Sequence, residues 1–304
     1  MKKFIFKLIV FLAIIICADS LTGNLYYLYD YVKGGEIGKI HQVMTKAEGD
    51  IMILGSSKAY HHFNSKILSD EIGCKVYNAG IDGRGSLTEY CFIKGIFSRF
   101  YPKVIVIELT PGYDIYKNWI DQSMNFFAPY KHKYGLDSLF LDIDPTNNIK
   151  MLSNAYQYNS SILRILPNML SVRRPNLDGY APLFGVHKGP IKSYKITPQE
   201  CEIEPLKYKY FIKVLDEIEA HNIPIIFTIS PALGNHDINY YKKLLDVAKS
   251  RNIPVFNHLN DTLFIYNPSY YSDTFHMNSK GADAYSKIIG KEISNYLKEN
   301  NINL

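Results

Sequence analysis

The spacing of the apolar runs constrains this chain most. Residues 51–54, 104–109 and 225–229 are short, mostly aliphatic and almost without polar alternation, as expected for strands covered on both faces. Helical spacing fills the intervals. Residues 63–72 carry it with Asn64 as a plausible cap, and residues 75–77 follow as a short second strand. Ser86-Leu87-Thr88-Glu89 matches a capping box and opens a helix expected to reach about Tyr101. Later, residues 208–221 read as helix and enter the strand 225–229 through Asn222-Ile223-Pro224; residues 237–251 enter Val255-Phe256 through Asn252-Ile253-Pro254. Asn278 caps a last helix that continues to about Glu299. Strand and helix alternating at this spacing predict an α/β fold: a mostly parallel sheet with helices on both faces.

Composition limits the alternatives. With 304 residues and 47% hydrophobic content the chain can bury a full core and is too apolar for extended disorder. The net charge of +5 is carried by scattered Lys and Arg rather than a basic stripe, so no nucleic-acid partner is expected. Cys17, Cys74, Cys91 and Cys201 show neither CxxC spacing nor a dense framework; no metal site is expected, and no disulfide can be deduced. Gly83-Arg84-Gly85 is too short for a phosphate loop, so no cofactor is expected either.

The first residues bear on location. Met1-Lys2-Lys3-Phe4-Ile5-Phe6-Lys7 is basic, and residues 8–18 are uninterrupted apolar, which together make an export signal. A bilayer needs about 20 residues; counting from Phe4, with Lys7 and Asp19 near the two interfaces, the run nearly reaches that length. Leu25-Tyr26-Tyr27-Leu28-Tyr29 reads as an aromatic belt at the outer face. Two outcomes stay open: an uncleaved signal anchor in residues 1–30, or a signal peptide cut near Ala18-Asp19-Ser20. Bulky Ile16 ahead of Cys17 speaks against a lipoprotein cysteine. Basic residues before the run put the N-terminus in the cytoplasm and residues 31–304 outside, on a single-pass membrane protein. A cleaved chain would instead be secreted or periplasmic.

Residues 34–49 read as a polar linker. Residues 114–204 break the strand and helix alternation: they are rich in Tyr, Phe, Asn and Lys and interrupted by Pro129, Pro145, Pro167, Pro175, Pro182 and Pro190. They read as a mainly irregular and helical insertion, lying either over the carboxyl ends of the strands, where open α/β sheets bind ligands, or elsewhere on the surface. Its aromatics suit sugar stacking or a small core of their own.

Two fragments carry the chemistry. Gly55-Ser56-Ser57 places a hydroxyl just past the first strand, where glycine permits a sharp turn, and Asp273-Thr274-Phe275-His276 places an acid where it can fold back on an imidazole. Each alone is common capping chemistry. Together they supply a nucleophile, a base and an orienting acid.

At these positions the chain resembles the SGNH (GDSL-type) hydrolases, in a branch with Gly-Ser-Ser in the first block and Asp-x-x-His in the last. Asn78-Ala79-Gly80-Ile81-Asp82-Gly83 is similar to their second block, and the likeness covers roughly residues 50–110 and 205–298. It implies a flavodoxin-like three-layer α/β/α fold. Carried over, Ser57 would be the nucleophile, His276 the general base and Asp273 its orienting acid; the N–H groups of Ser57 and Gly83 would form the oxyanion hole. Ser56 competes with Ser57 for the nucleophile's role. The third block, Glu108-Leu109-Thr110-Pro111-Gly112-Tyr113-Asp114, has a tyrosine where the family's asparagine donor stands, so Thr110 or a residue of the insertion replaces it, or nothing does. If Asp273 were only a helix cap, Glu108 and Asp114 would be the next orienting acids. His61 and His62 could reach the mouth of the site but read rather as the first turn of a surface helix, and Lys58 beside the serine could favour an anionic substrate but reads rather as a solvated lysine.

The expected function is an extracytoplasmic serine esterase that removes acyl, often acetyl, groups from a carbohydrate. An O-acyltransferase using the same triad beside a membrane acyl-donor protein, and an inactive glycan-binding protein of the same fold, are the alternatives.

Overall fold

A computed structural model describes residues 1–32, 34–117, 124–158, 165, 167–169 and 177–304. The chain forms two compact units: residues 1–42 with 123–174, and residues 43–122 with 175–304.

The second unit holds the sheet. Its five strands are β1 (Ile51–Gly55), β2 (Val76–Asn78), β3 (Val104–Glu108), β4 (Ile225–Ile229) and β5 (Val255–Asn257). All pair in parallel in the order β2-β1-β3-β4-β5, the flavodoxin-like arrangement. Strands fully buried on both faces explain the unbroken apolar runs. Ile51 and Ile53 of β1, Val104 and Val106 of β3 and Ile226 of β4 join one cluster with Leu68, Tyr285, Ile289, Ile293 and Leu297. The alternate residues Met52, Leu54, Ile105 and Ile107 are equally buried, and strand geometry turns them to the opposite face.

Numbering along the chain the helices that precede or flank the sheet, α1 is Lys2–Thr22, α2 Gly35–Thr45, α3 Ser57–His62, α4 Ser65–Ile72, α5 Ser86–Phe97, α6 Pro205–Glu219, α7 Lys242–Ser250 and α8 Ser279–Glu299. Helix α8 packs on α3 and α4, and α5 packs on α6. The Asn64 side chain accepts the N–H groups of Lys66 and Ile67 at the start of α4, and that of Asn278 accepts Gly281 N–H at the start of α8, as the sequence predicted. Asn222 and Asn252 take left-handed φ values of 55° ahead of β4 and β5. A short amide side chain tolerates that conformation better than most.

Two local expectations fail. Residues 35–45 form α2 rather than a linker; Ile37, Ile40, Val43 and Met44 recur at helical spacing and are buried. The capping box at Ser86 does not form: Gly85 is the N-cap, and Ser86 Oγ donates to the Lys207 carbonyl at 3.0 Å. Burial of both Ser86 and Glu89 turns those side chains inward, away from the helix end.

The first unit contains α1, which is apolar and long enough to cross a membrane and has no buried residue. Tyr29, read as part of an aromatic belt, is instead completely buried, with ring contacts to His41, Tyr130 and Tyr158. The side chains of Leu25, Tyr26 and Tyr27 lie outside the described residues. Within the insertion, residues 118–123, 159–164, 166 and 170–176 do likewise; the remainder of its first part includes short helices at Asp137–Ile143, Asn147–Lys150 and Asn154–Tyr158.

Arg99, at the end of α5, gathers the carbonyls of α2's last turn and beyond. Its guanidinium donates to Val43 O and Ala47 O at 2.9 Å each, to Gly95 O at 2.6 Å, and to Met44 O. Arg99→Met removes these guanidinium donors, leaving Gly95 O the Ser98 hydroxyl at 2.7 Å, and should destabilise the chain by about 1–3 kcal/mol, read as a lower urea midpoint at unchanged m-value.

Candidate active site

The turn after β1 begins the site. Gly55 has φ +139°, and a Cβ there would lie 2.8 Å from both Ala59 Cβ and Glu108 O. Only glycine fits. The chain therefore reverses sharply into α3, whose first residue is Ser57. The N–H groups of a helix's first turn have no helical acceptor, and Ser57 N–H finds none among the described residues.

His276 arrives from the loop before α8. Its Nε2 lies 2.7 Å from Ser57 Oγ, and its Nδ1 lies 2.8 Å from Asp273 Oδ2. A carboxylate only accepts, so Nδ1 carries the proton and Nε2 is the acceptor for the serine hydroxyl. Asp273 Oδ1 also accepts the backbone N–H groups of Phe275 and His276, both at 2.8 Å. Asp273 thus holds the ring and the turn that presents it. Burial opposes ionisation of Asp273, yet the His276 ring and these N–H groups outweigh it and pull the carboxyl down to about 2. Since the folded value lies below the ordinary one near 3.8, Asp273 favours the folded state above that pH, and the contribution disappears as pH falls toward 2. The side chains of His276 and Asp273 are 26% and 53% exposed, so the dyad faces solvent.

Ser56 does not share this geometry. It is fully buried, and its Oγ has no hydrogen-bond partner among the described residues. Gly83, with φ +65°, sits in the turn following Ile81, whose N–H donates to Gly55 O at 3.2 Å. The Gly83 N–H also finds no acceptor among the described residues. Thr110 follows β3 just as Ser57 follows β1, two residues past the paired Gly55 and Glu108. Its N–H is taken by Asp114 Oδ2 at 2.6 Å, whereas its buried Oγ1 is unpartnered. Burial first, and then the neighbouring Glu89, push the Asp114 carboxyl well above the usual range, against the pull of that Thr110 N–H.

Three residues expected in solvent are buried instead. Lys58 Nζ lies 3.2 Å from Glu108 Oε1 and donates to Ser230 O at 2.6 Å, with side chains 7% and 0% exposed for the pair. Glu108 Oε1 also accepts Ser230 N–H and Oγ–H, at 2.9 and 2.6 Å, and Oε2 accepts Thr228 Oγ1–H at 2.7 Å. With these partners, Glu108 holds Lys58 rather than a catalytic imidazole. His61 donates from Nδ1 to Ala181 O at 2.6 Å, presents Nε2 to Asp82 Oδ1 at 2.8 Å, and meets the His276 ring edge-on. His62 lies between Ser230 and Met277. The reason is packing: α3 is a short helix pressed between the sheet and α8, with little solvent face to offer. One signal was present in the sequence, a glutamate inside the apolar run of β3, because a strand covered on both faces keeps a carboxylate only with a partner.

Residues 177–194 border the same end of the sheet. Ala181 N–H donates to Tyr60 O, Asp178 O accepts Asn78 N–H, and Leu183 O accepts Ser279 N–H. This part of the insertion lies against α3 and the start of α8. The four cysteines are free, and no group of three or more metal-ligating side chains occurs among the described residues.

A parallel α/β sheet with a hydrogen-bonded Ser-His-Asp set beyond its strand ends defines the fold and the candidate site. No family model and no curated protein matches the chain. Among solved structures it is similar to a Bacteroides fragilis protein described as a candidate acylhydrolase, at 14% identity and TM-score 0.42, over 81% of this chain and 87% of that one. It is also similar to a Desulfitobacterium hafniense protein described as a candidate lipolytic protein of the G-D-S-L family, at 13% identity and TM-score 0.39, over 81% and 97% respectively.

Removing one member of the buried pair leaves the other's charge uncompensated. Lys58→Met should therefore cost about 3–5 kcal/mol in chemical denaturation. Lys58→Met combined with Glu108→Gln should cost less than the sum of the two single changes.

Proposed function

We propose that this chain is an SGNH-type serine hydrolase that cleaves carboxylic esters through an acyl-Ser57 intermediate. One observation carries the reading: Ser57 Oγ stands 2.7 Å from His276 Nε2 while Asp273 occupies Nδ1. In the first half-reaction Ser57 Oγ bonds to the ester carbonyl carbon as its proton passes to His276 Nε2. The carbonyl oxygen becomes an oxyanion, with the unpaired N–H groups of Ser57 and Gly83 as donors; each such donor contributes about 100- to 1000-fold in rate. The tetrahedral adduct collapses, the ester C–O bond breaks, and His276 returns the proton to the departing alkoxide. Water attacks the acyl-serine by the same proton path and regenerates Ser57. Thr110 Oγ1 is the residue on hand for a third donor, where the family has asparagine.

The substrate class follows from placement. Helix α1 supports an uncleaved membrane anchor, and Lys2, Lys3 and Lys7 favour the N-terminus inside and the catalytic unit outside, where an acylated cell-surface glycan is the ester we assign to it. Asp19, near the end of α1, accepts the N–H groups of Asn154 and Ala155 and the Ser153 hydroxyl at 2.9, 3.0 and 2.6 Å. Cleavage at the Ala18-Asp19-Ser20 site would detach or disturb the residue that caps the helix Asn154–Tyr158. Ile149 and Leu152, 71% and 78% exposed, lie close by in sequence, as suits chain near a bilayer interface. An anchored enzyme is also suited to O-acyl transfer, with a sugar hydroxyl replacing water and a membrane acyl-donor protein supplying the acyl group. The intact proton path opposes the inactive glycan-binding reading.

Two measurements test this. Full-length protein treated with a fluorophosphonate probe should carry the adduct on Ser57, lost in Ser57→Ala and retained in Ser56→Ala; a small acetyl ester should be hydrolysed, with Asp273→Asn lowering turnover by about 10,000-fold. Unlabelled, inactive wild-type protein would remove the hydrolase reading. After a carbonate wash the chain should stay with membranes and keep its original N-terminus, and soluble protein beginning near residue 19 or 21 would show cleavage instead.

A further inference from the structure

The residue after the candidate base is held from behind. Met277 N–H donates to His62 Nε2 at 3.0 Å, in a fully buried contact. A ring nitrogen that accepts an N–H carries no proton, so the proton of neutral His62 is on Nδ1. Nδ1 lies 2.9 Å from Ser230 Oγ, and Ser230 Oγ donates to Glu108 Oε1 at 2.6 Å. Glu108 in turn faces Lys58 Nζ. Donors and acceptors match along this series: Met277 N–H to His62, His62 Nδ1–H to Ser230 Oγ, and Ser230 O–H to Glu108, which pairs with Lys58 while Lys58 Nζ also donates to Ser230 O. The series starts beside His276 and ends on the residue next to Ser57, and His62 and Lys58 both belong to α3.

Resting on the hydrolase reading above, we propose that His62 is a positioning residue: held as the Nδ1–H tautomer by Ser230 and Glu108, it fixes the Met277 backbone and thereby the distance from His276 to Ser57. His62 touches no reacting atom. The groups facing it are Lys58 and His61 from α3, Ser230 beyond β4, Glu108 at the end of β3, and the base loop with His276. Burial first, then the Lys58 charge and the neighbouring His276 and His61 rings, hold the His62 ring well below its ordinary value, while the Phe275 backbone, an acceptor for a protonated ring, works the other way. The ring thus keeps the neutral state that the geometry requires. A protonated His62 would set a second N–H against Met277 N–H and push the base loop away.

The arrangement is testable with or without turnover. In full-length protein with 15N-labelled histidine, two-bond 1H–15N correlations should show His62 with a protonated Nδ1 and a bare Nε2, unchanged between about pH 8 and about pH 5.5. His62→Leu should raise the exchange rate of the Met277 amide and lower kcat on a small acetyl ester by roughly 100-fold, with KM altered less than about threefold. His62→Gln, which can accept from Met277 and donate to Ser230, should recover at least about tenfold of that kcat. Ser230→Ala serves as the second variant if His62→Leu does not fold, and should show the same kcat loss without a KM change. An Nε2–H tautomer, a His62 ring that titrates with the surface histidines, or Gln no better than Leu would overturn the proposal. If wild-type protein neither turns over ester nor labels at Ser57, the hydrolase reading fails, and the His62 tautomer and Met277 exchange still decide whether this anchoring exists.

Discussion

A lysine and a glutamate buried together where β1 and β3 end set the terms for everything around them. Taking both charges out of water is costly, and their attraction repays that cost only when the remaining hydrogen-bonding positions are filled. Glu108 satisfies this with Ser230, Thr228 and Lys58, so the ends of β3 and β4 and the start of α3 lock to one another. The parallel register makes this possible, since Gly55 pairs with Glu108 and Glu108 with Thr228. A shift of one residue in either ladder would turn the carboxylate to the opposite face.

Helix α3 translates that lock into a site. Six residues long, it carries Ser57 at its start, Lys58 on the buried pair, His61 on the turn containing Asp82, and His62 on the backbone beside His276. Three separate loops are thus referenced to one short segment. Ser57, the turn containing Gly83 and His276 need not be positioned by each other, because each is positioned by α3.

The fold was legible because buried parallel strands leave long apolar runs and because asparagine caps and Asn-Ile-Pro junctions mark where helices stop. Ser57, Asp273 and His276 were legible because each sits in a local pattern whose chemistry is complete within a few residues. Lys58, His61 and His62 were read as solvated because local composition says nothing about which element packs on a short helix. Their partners Glu108, Asp82, Ser230 and Met277 are brought to them by the sheet. Residues 35–45 misled for a related reason: two glycines and interspersed polar residues masked the spacing of Ile37, Ile40, Val43 and Met44. Tyr29 looked like a membrane-surface residue until its neighbours His41, Tyr130 and Tyr158, two of them roughly a hundred residues distant or more, supplied a core.

The concentration of tasks on α3 has a consequence for how such a chain can vary. An inserted or deleted residue between Gly55 and Phe63 rotates everything beyond it by about 100° around the helix axis, so Ser57, the ion pair and both histidines lose their present partners in a single event. Residues 188–204 make other pairings, Tyr194 with Asn235 and Asp237 and Glu202 with Lys117, none of which involves α3. A change of length is therefore far harder to accommodate in the eight residues from Gly55 to His62 than in residues 188–204, and the segment that presents Ser57 is held to a fixed length.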